Sequence, residues 1–218
     1  MTSIKKQRKI VFEGNIGVGK STMCALANTY IPNSIVIPEP VPLWKETVDS
    51  NNENILCKFY QDQKRYAFAF QMFACITRMM KKVDAINTSD AEVLLFDRSV
   101  NTDKNIFAQM LYDDGKISEL EFKIYCMQYD FYTTQVCPET YDKIIYLRCE
   151  PEIAYSRIRK RNRIEEKDIS LRYLTTVHNY HEKWLCNNMN VMVVDCNKDF
   201  ENNVSYQQEI MAKIKDLI

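Results

Sequence analysis

Near the start of the chain, Gly14-Asn15-Ile16-Gly17-Val18-Gly19-Lys20-Ser21-Thr22 satisfies G-x-x-x-x-G-K-[ST], a spacing suited to holding phosphate. The glycines let backbone N–H groups turn toward phosphate oxygens, Lys20 adds a cation, and a helix starting there would aim its positive end inward. Gly14, Asn15, Gly17, Gly19, Lys20, Ser21 and Thr22 are therefore candidate contacts of a nucleoside triphosphate, with the Ser21 hydroxyl a ligand for Mg²⁺. Three of the chain's four glycines sit in this one loop, so backbone freedom is concentrated there. Such loops serve motors, switches, kinases and synthetases alike, so the acceptor must be read elsewhere.

Four other stretches carry suitable chemistry. In Pro38-Glu39-Pro40, prolines flank a carboxylate that could accept the proton of an attacking hydroxyl. Asp97-Arg98-Ser99 offers a second carboxylate to hold Mg²⁺ or its water shell, and a guanidinium to touch the reacting oxygens. Between Arg157 and Arg163, five cations occupy seven positions, and Arg157 and Arg161 are spaced i, i+4, as a lid closing on phosphoryl oxygens would require. A solvated helix face or a nucleic-acid patch are the alternative readings of that run. Tyr60, Gln71, Ala74 and Arg78 fall on one helical stripe, with an amide and a guanidinium among the aromatics Phe68, Phe70 and Phe73. Polar groups there need partners, and a planar base read along its edge would supply them. His178 and His181 have no third ligand at metal spacing and read as helix-surface residues.

These residues need a scaffold. Short β-rich runs at 9–12, 34–37, 93–96, 143–147 and 190–195 alternate with longer helical patterns, which predicts an α/β fold with a five-stranded parallel sheet flanked by helices. In such sheets ligands gather at the carboxyl ends of the strands, where the glycine loop, Glu39, Asp97-Arg98, the segment after 148 and 195–200 all fall. Residues 54–87 contain no Gly or Pro and repeat apolar residues at helical spacing, predicting one long helix.

Composition bounds the rest. With 218 residues, 46% hydrophobic, the chain is long enough for one compact domain over 1–218. Lys+Arg and Asp+Glu both number 29, so no overall field draws the chain to nucleic acid or to anionic lipid, and neither is an expected partner. Eight cysteines form no C-x-x-C pair and read as reduced thiols of an intracellular protein. No apolar run approaches a membrane span, and the basic start Lys5-Lys6-Gln7-Arg8-Lys9 runs straight into a strand; a cytoplasmic location is expected. A GTPase would need Asn-Lys-x-Asp, but Asn197-Lys198-Asp199 is followed by Phe200. A motor ATPase would carry a strand ending in Asp-Glu.

Together, GNIGVGKST, PEPVPLW, FAFQMFA with its following Arg78, DRSVNTD, RIRKRNRIEE and DCNKDF closely resemble the deoxyribonucleoside kinase family, in the same order and spacing from about residue 8 to 200. The resemblance implies a P-loop kinase fold with an arginine-rich lid. Its activity would be ATP-dependent, Mg²⁺-assisted phosphorylation of the 5′-hydroxyl of a deoxynucleoside, in a homodimer. It implies that Glu39 is the base on that hydroxyl with Arg98 beside it, and that Lys20 acts on the phosphates. Tyr60 and Glu166 would hold the 3′-hydroxyl, Gln71 the base edge, and Trp44, Phe70 and Phe107 the base slot. Arg157, Arg161 and Arg163 would be the lid clamp, and Ser21 and Asp97 the metal ligands. Several relatives carry Glu before the Arg-Ser where this chain has Asp97, and the shorter Asp favours a water-mediated metal contact.

Ala74, Arg78 and Asp103 match the deoxycytidine kinase branch. Gln71 can read cytosine, adenine or guanine, whereas thymine would set a carbonyl against Asp103 and a methyl against Arg78. Deoxycytidine and deoxypurines are the expected substrates, with purine preference as the alternative. A nucleoside-monophosphate kinase shares the loop and lid but would need extra cations for the acceptor phosphate. A non-catalytic scaffold would have no use for Lys20, Glu39 and Arg98 together.

Overall fold

The computed structural model describes residues 7–186 and 188–216, so Lys5 and Lys6 of the basic start fall outside it. Five strands, β1 (Arg8–Gly14), β2 (Ser34–Ile37), β3 (Val93–Asp97), β4 (Lys143–Arg148) and β5 (Val191–Asp195), pair in parallel in the order β2-β3-β1-β4-β5. The helices described are α1 (Lys20–Tyr30), α2 (Val41–Glu46), α3 (Ile55–Gln61), α4 (Gln63–Thr88), α5 (Val100–Thr102), α6 (Gln109–Asp113), α7 (Glu119–Phe131), α8 (Pro151–Arg161), α9 (Leu171–Leu185) and α10 (Val204–Lys215). A π-helical stretch, Asp103–Ala108, joins α5 to α6, and a 3₁₀ turn, Ile164–Glu166, follows α8. This is the α/β architecture that the alternation of short β-rich runs and helical patterns predicts.

Alternating side chains divide the sheet between two cores. Ile10, Phe12, Leu95, Ile145 and Leu147 pack with Met23, Cys24 and Ala27 of α1, Ala154 of α8 and Ile210, Met211 and Ile214 of α10. Val11, Leu94 and Phe96 face the other way, against Ala85 of α4. Each fully buried aliphatic side chain contributes roughly 1.5–3 kcal/mol. From neighbouring β1 and β3 the chain departs in opposite directions, to β2 and to β4, so a crevice opens where their carboxyl ends meet. The glycine loop and Asp97-Arg98-Ser99 are the two segments that emerge there.

The long helix expected over 54–87 is two helices. At Asp62 the backbone leaves the helical region (φ −140°, ψ 82°), and its side chain accepts a hydrogen bond from the Arg65 N–H, capping α4. Asp competes for backbone N–H groups in this way, so a break needs no Gly or Pro. Tyr60 therefore lies on α3 and does not share a helix stripe with Gln71, Ala74 and Arg78. All eight cysteines are free thiols. Among the described residues no helix is long and apolar enough to cross a membrane.

His178 and His181 correct the helix-surface reading, because both are buried. His181 stacks on Tyr146 of β4 (ring centroids 5.9 Å apart, 5° between planes) and its Nδ1 lies 2.8 Å from the Val177 carbonyl, so Nδ1–H donates. Burial pushes its pKa down to about 3. In the unfolded chain it titrates near 6.5, so its contribution to stability is intact above that pH. As pH falls from 6.5 toward 3, the unfolded state binds a proton that the native state refuses, and about 1.4 kcal/mol per pH unit is lost. His181→Phe should flatten the fall of the unfolding midpoint between pH 6.5 and 4; parallel curves for the two proteins would rule this out.

Candidate active site

The strand-to-helix loop is held by contacts a side chain would obstruct. Gly17 (φ 82°) approaches α8 so closely that a Cβ would lie 2.6 Å from the Ala154 carbonyl oxygen. Gly19 (φ 103°) is covered by Phe200, which closes over the loop from beyond β5. Lys20 folds back, its Nζ donating to the carbonyls of Gly14 (3.1 Å) and Asn15 (2.8 Å). Burial, reinforced by Arg98, lowers its pKa to about 8. Arg157 donates to the Val18 carbonyl at 3.2 Å, and Asn15 Nδ2 to the Leu174 carbonyl at 2.9 Å, tying the loop to α8 and α9.

Opposite the loop, a carboxylate is gripped by two guanidiniums. Arg98 Nη1 donates to both Glu39 oxygens at 2.8 Å, and Arg78 Nη2 reaches Glu39 Oε1 at 3.1 Å. Burial alone would raise the Glu39 pKa, but Arg98, Arg78 and Lys20 outweigh it and hold the carboxyl down at about 2. Arg78 also grips Asp103, through Nε (2.8 Å) and Nη2 (3.2 Å). Burial opposes the charge on Arg78, yet Asp103 and Glu39 raise its pKa above the ordinary guanidinium value. Arg98 has φ 67°, a left-handed conformation costly for a residue with a side chain and found preferentially at functional sites.

Asp97 provides the test for Mg²⁺. Its Oδ2 accepts the Ser21 hydroxyl at 2.7 Å, while Oδ1 is buried with no hydrogen-bond partner. Burial and the nearby Glu39 push its carboxyl up, the imbalance a cation corrects. A hydroxyl and a carboxylate side by side are hard oxygen donors of the number Mg²⁺ takes from a protein when it keeps several waters. The residues fit the ion.

These groups line one cavity of about 540 Å³, within the usual range for a small-molecule site. Gly17, Gly19, Lys20, Ser21, Thr22, Glu39, Asp97 and Arg98 form the loop end of its wall. Trp44, Tyr60, Phe70, Gln71, Ala74, Arg78, Asp103 and Phe107 form the other end, with Arg161, Arg163 and Glu166 above. Gly14, Asn15 and Arg157 are absent from the wall and brace the loop from behind. Of the aromatics near Gln71, Phe70 lines the cavity and stacks on Phe59 (4.7 Å), whereas Phe68 and Phe73 are half-buried against the core outside the cavity. Gln71 Oε1 is buried without a hydrogen-bond partner.

The basic run is not one helix face. Helix α8 ends at Arg161, Asn162 turns left-handed (φ 52°), and Arg163 lies beyond it. Arg161 Nη2 donates to both Glu166 oxygens at 2.6 Å, and Arg163 lies 3.6 Å from the same carboxylate. Glu165 pairs with Lys45 of α2 at 2.8 Å, linking lid to wall. Sequence reasoning missed Lys45, Phe59, Glu165 and Tyr173 of the wall. The Tyr173 hydroxyl is buried without a partner, and only its place in α9, packed on the loop, singles it out. It also missed Glu13, buried on β1 and bonded to Ser99 and Thr102. Burial pushes the Glu13 carboxyl up to about 7, the Ser99 and Thr102 hydroxyls opposing. A lone carboxylate directly after the apolar run Ile10-Val11-Phe12 was the available signal.

A phosphate loop at the switch point of a parallel sheet, facing a paired carboxylate across a cavity under an arginine-bearing turn, defines a P-loop kinase. Residues 10–218 match the family model described as Deoxynucleoside kinase. The chain is 34% identical to Deoxycytidine kinase 2 of Gallus gallus (98% of this chain, 91% of the relative). It is 35% identical to the probable deoxycytidine kinase of Fowlpox virus (99% and 90%). To the mitochondrial deoxyguanosine kinase of Xenopus laevis it is 30% identical (97% and 89%). The chain belongs to the deoxynucleoside kinase family.

Proposed function

We propose that this protein, acting as one functional unit over 1–218, transfers the γ-phosphoryl group of ATP to the 5′-hydroxyl of deoxyribonucleosides, with deoxycytidine and the deoxypurines preferred over thymidine. The observation that carries this reading is the joining, in one cavity, of the Glu39–Arg98 pair facing the phosphate loop with the unpartnered Gln71 amide oxygen and the Arg78–Asp103 pair at the far end.

Held at about 2, the Glu39 carboxyl is ionised at any working pH. A carboxylate so weakly basic orients the hydroxyl and takes its proton late, once bonding to phosphorus has acidified it, as suits a loose phosphoryl-transfer transition state. Arg98 fixes the two Glu39 oxygens and faces the developing charge. Lys20 and the loop amides hold the donor phosphates, and Arg161 and Arg163 close over them. Arg161 must leave Glu166 to do so, which frees Glu166, with Tyr60, for the 3′-hydroxyl. Mg²⁺, held by Ser21 and Asp97 directly or through water, would neutralise phosphate charge. Trp44, Phe70 and Phe107 sandwich the base, beside Ala74.

At the base edge, Gln71 can pair with an exocyclic amine and ring nitrogen, and Asp103 can accept a second amine hydrogen. Thymine offers Asp103 a carbonyl instead. Sites built from buried polar groups reject a mismatched partner by up to ~10⁴. In a panel of the four deoxynucleosides with ATP and Mg²⁺, thymidine is expected to have the lowest kcat/KM; thymidine as best substrate would refute the reading.

A nucleoside-monophosphate kinase is disfavoured because the cations on the acceptor side are already matched: Arg78 with Asp103, Arg98 with Glu39, Lys45 with Glu165. A homodimer is also proposed. Ile76 and Met80 of α4, with Leu120, Ile124, Met127 and Phe131 of α7, form an exposed apolar stripe at helical spacing that suits a second copy. Eight free cysteines suit the reducing cytoplasm, where the product would serve nucleotide salvage.

A further inference from the structure

Glu13 is fully buried at the penultimate position of β1 and does not line the cavity. Its side chain points, like that of Val11, to the sheet face covered by α4 and α5. An apolar residue would fill that space at no electrostatic penalty, whereas a buried carboxylate is costly unless hydrogen bonds satisfy it. Its oxygens are satisfied by one short segment. Oε1 accepts the Ser99 N–H at 3.0 Å and the Ser99 hydroxyl at 2.5 Å, and Oε2 accepts the Thr102 hydroxyl.

That segment begins with Arg98 in its left-handed conformation. The residues on either side of Glu13 hold Arg98 too: the Phe12 carbonyl accepts the Arg98 N–H at 3.0 Å, and the Gly14 carbonyl accepts Arg98 Nη2 at 3.1 Å. Three consecutive residues of β1 thus fix the backbone before Arg98, the backbone after it and its guanidinium. A strained φ persists only where the surroundings over-determine it, and here the Glu13 carboxylate supplies the bonds on the C-terminal side.

We infer that Glu13 is a positioning residue, which locks the Ser99–Thr102 turn so that Arg98 stays left-handed and its guanidinium stays on Glu39. This rests on the proposed reaction for its kinetic consequence, though not for its structural one. Glu13→Gln keeps the shape but sets an NH₂ group against one of the hydroxyl or amide donors. Arg98 then relaxes, and the Glu39 carboxylate loses the partner that fixes both its oxygens. A small misplacement near reacting atoms is enough to cost roughly 10- to 100-fold in rate.

The test compares wild type, Glu13→Gln, Arg98→Ala and the double variant with deoxycytidine and ATP. Glu13→Gln is expected to lose about 10-fold or more in kcat, with both KM values within about 2-fold, and to cost less than about 2-fold further in the Arg98→Ala background. A role in general stability would add fully in that background, and that result, or an unchanged kcat, overturns the inference. If Glu13→Gln does not fold, Thr102→Val removes a single donor and carries the same comparison at smaller amplitude. The crystal structure of either variant is independent of the acceptor. Arg98 leaving the left-handed region or losing Glu39 supports the inference, and Arg98 unmoved in both respects overturns it even if no deoxynucleoside is phosphorylated.

Discussion

Replacing Glu39 with Gln lowers kcat by ~10² or more while the nucleoside KM changes little. The amide keeps the volume and one acceptor for Arg98, which in the native protein binds both carboxylate oxygens at 2.8 Å, but it cannot take a proton. A variant that still binds nucleoside and turns it over slowly is the signature of an interaction that matters in the transition state more than in the ground state. Burial alone would raise the Glu39 pKa, but Arg98, Arg78 and Lys20 outweigh it and hold the carboxyl at about 2, so protonation of Glu39 produces no acid limb in kcat between pH 5 and 8. Steady-state kinetics of the purified variant, with circular dichroism to verify folding, decide the matter. A kcat within about 3-fold of wild type removes Glu39 from the chemistry.

The largest stability effect belongs to Arg78→Met. Arg78 lies buried between Asp103 and Glu39, donates to the Asp97 carbonyl at 3.3 Å, and sits 5.7 Å from the Trp44 ring. Methionine fills much of the space but leaves Asp103 as a buried carboxylate without its cation, and removing one partner of such a pair costs about 3–5 kcal/mol. For a chain of this size each kcal/mol moves Tm by about 2–4 °C, so a fall of roughly 6–20 °C is expected. Adding Asp103→Leu removes the stranded charge, and much of the loss should return. Base selection should not return with it, because the groups that set a carboxylate and a guanidinium against thymine are gone. Thermal unfolding of the single and double variants tests the pair. A double variant no more stable than Arg78→Met would show that the charges are not the cause.

What was legible in the sequence depended on how local its cause was. The phosphate loop is encoded in contiguous residues, and so is the alternation that builds the parallel sheet. The break at Asp62 was hidden because a capping aspartate inside a helical pattern looks like a surface polar residue. The π-helical stretch at Asp103–Ala108 has no sequence mark at all, although Asp103 and Phe107 were picked out and both reach the cavity wall. Arg161 and Arg163 were legible as cations, but Asn162 ends the helix between them and Glu166 occupies both. His181 was misread because its apolar partner, Tyr146, comes from a strand 35 positions away. Glu13 is the clearest case: Ser99 and Thr102 lie 86 and 89 positions away, and only the pairing of β1 with β3 brings them together.

The central claim is that a free sugar alcohol is the phosphoryl acceptor in the cavity between Glu39 and Glu166. The most direct measurement is phosphorus NMR of the products formed when deoxycytidine and deoxycytidine monophosphate compete for ATP and Mg²⁺. The account predicts deoxycytidine 5′-monophosphate rising in step with ADP, and no deoxycytidine diphosphate. Diphosphate formed from the monophosphate, with deoxycytidine left intact, would contradict it.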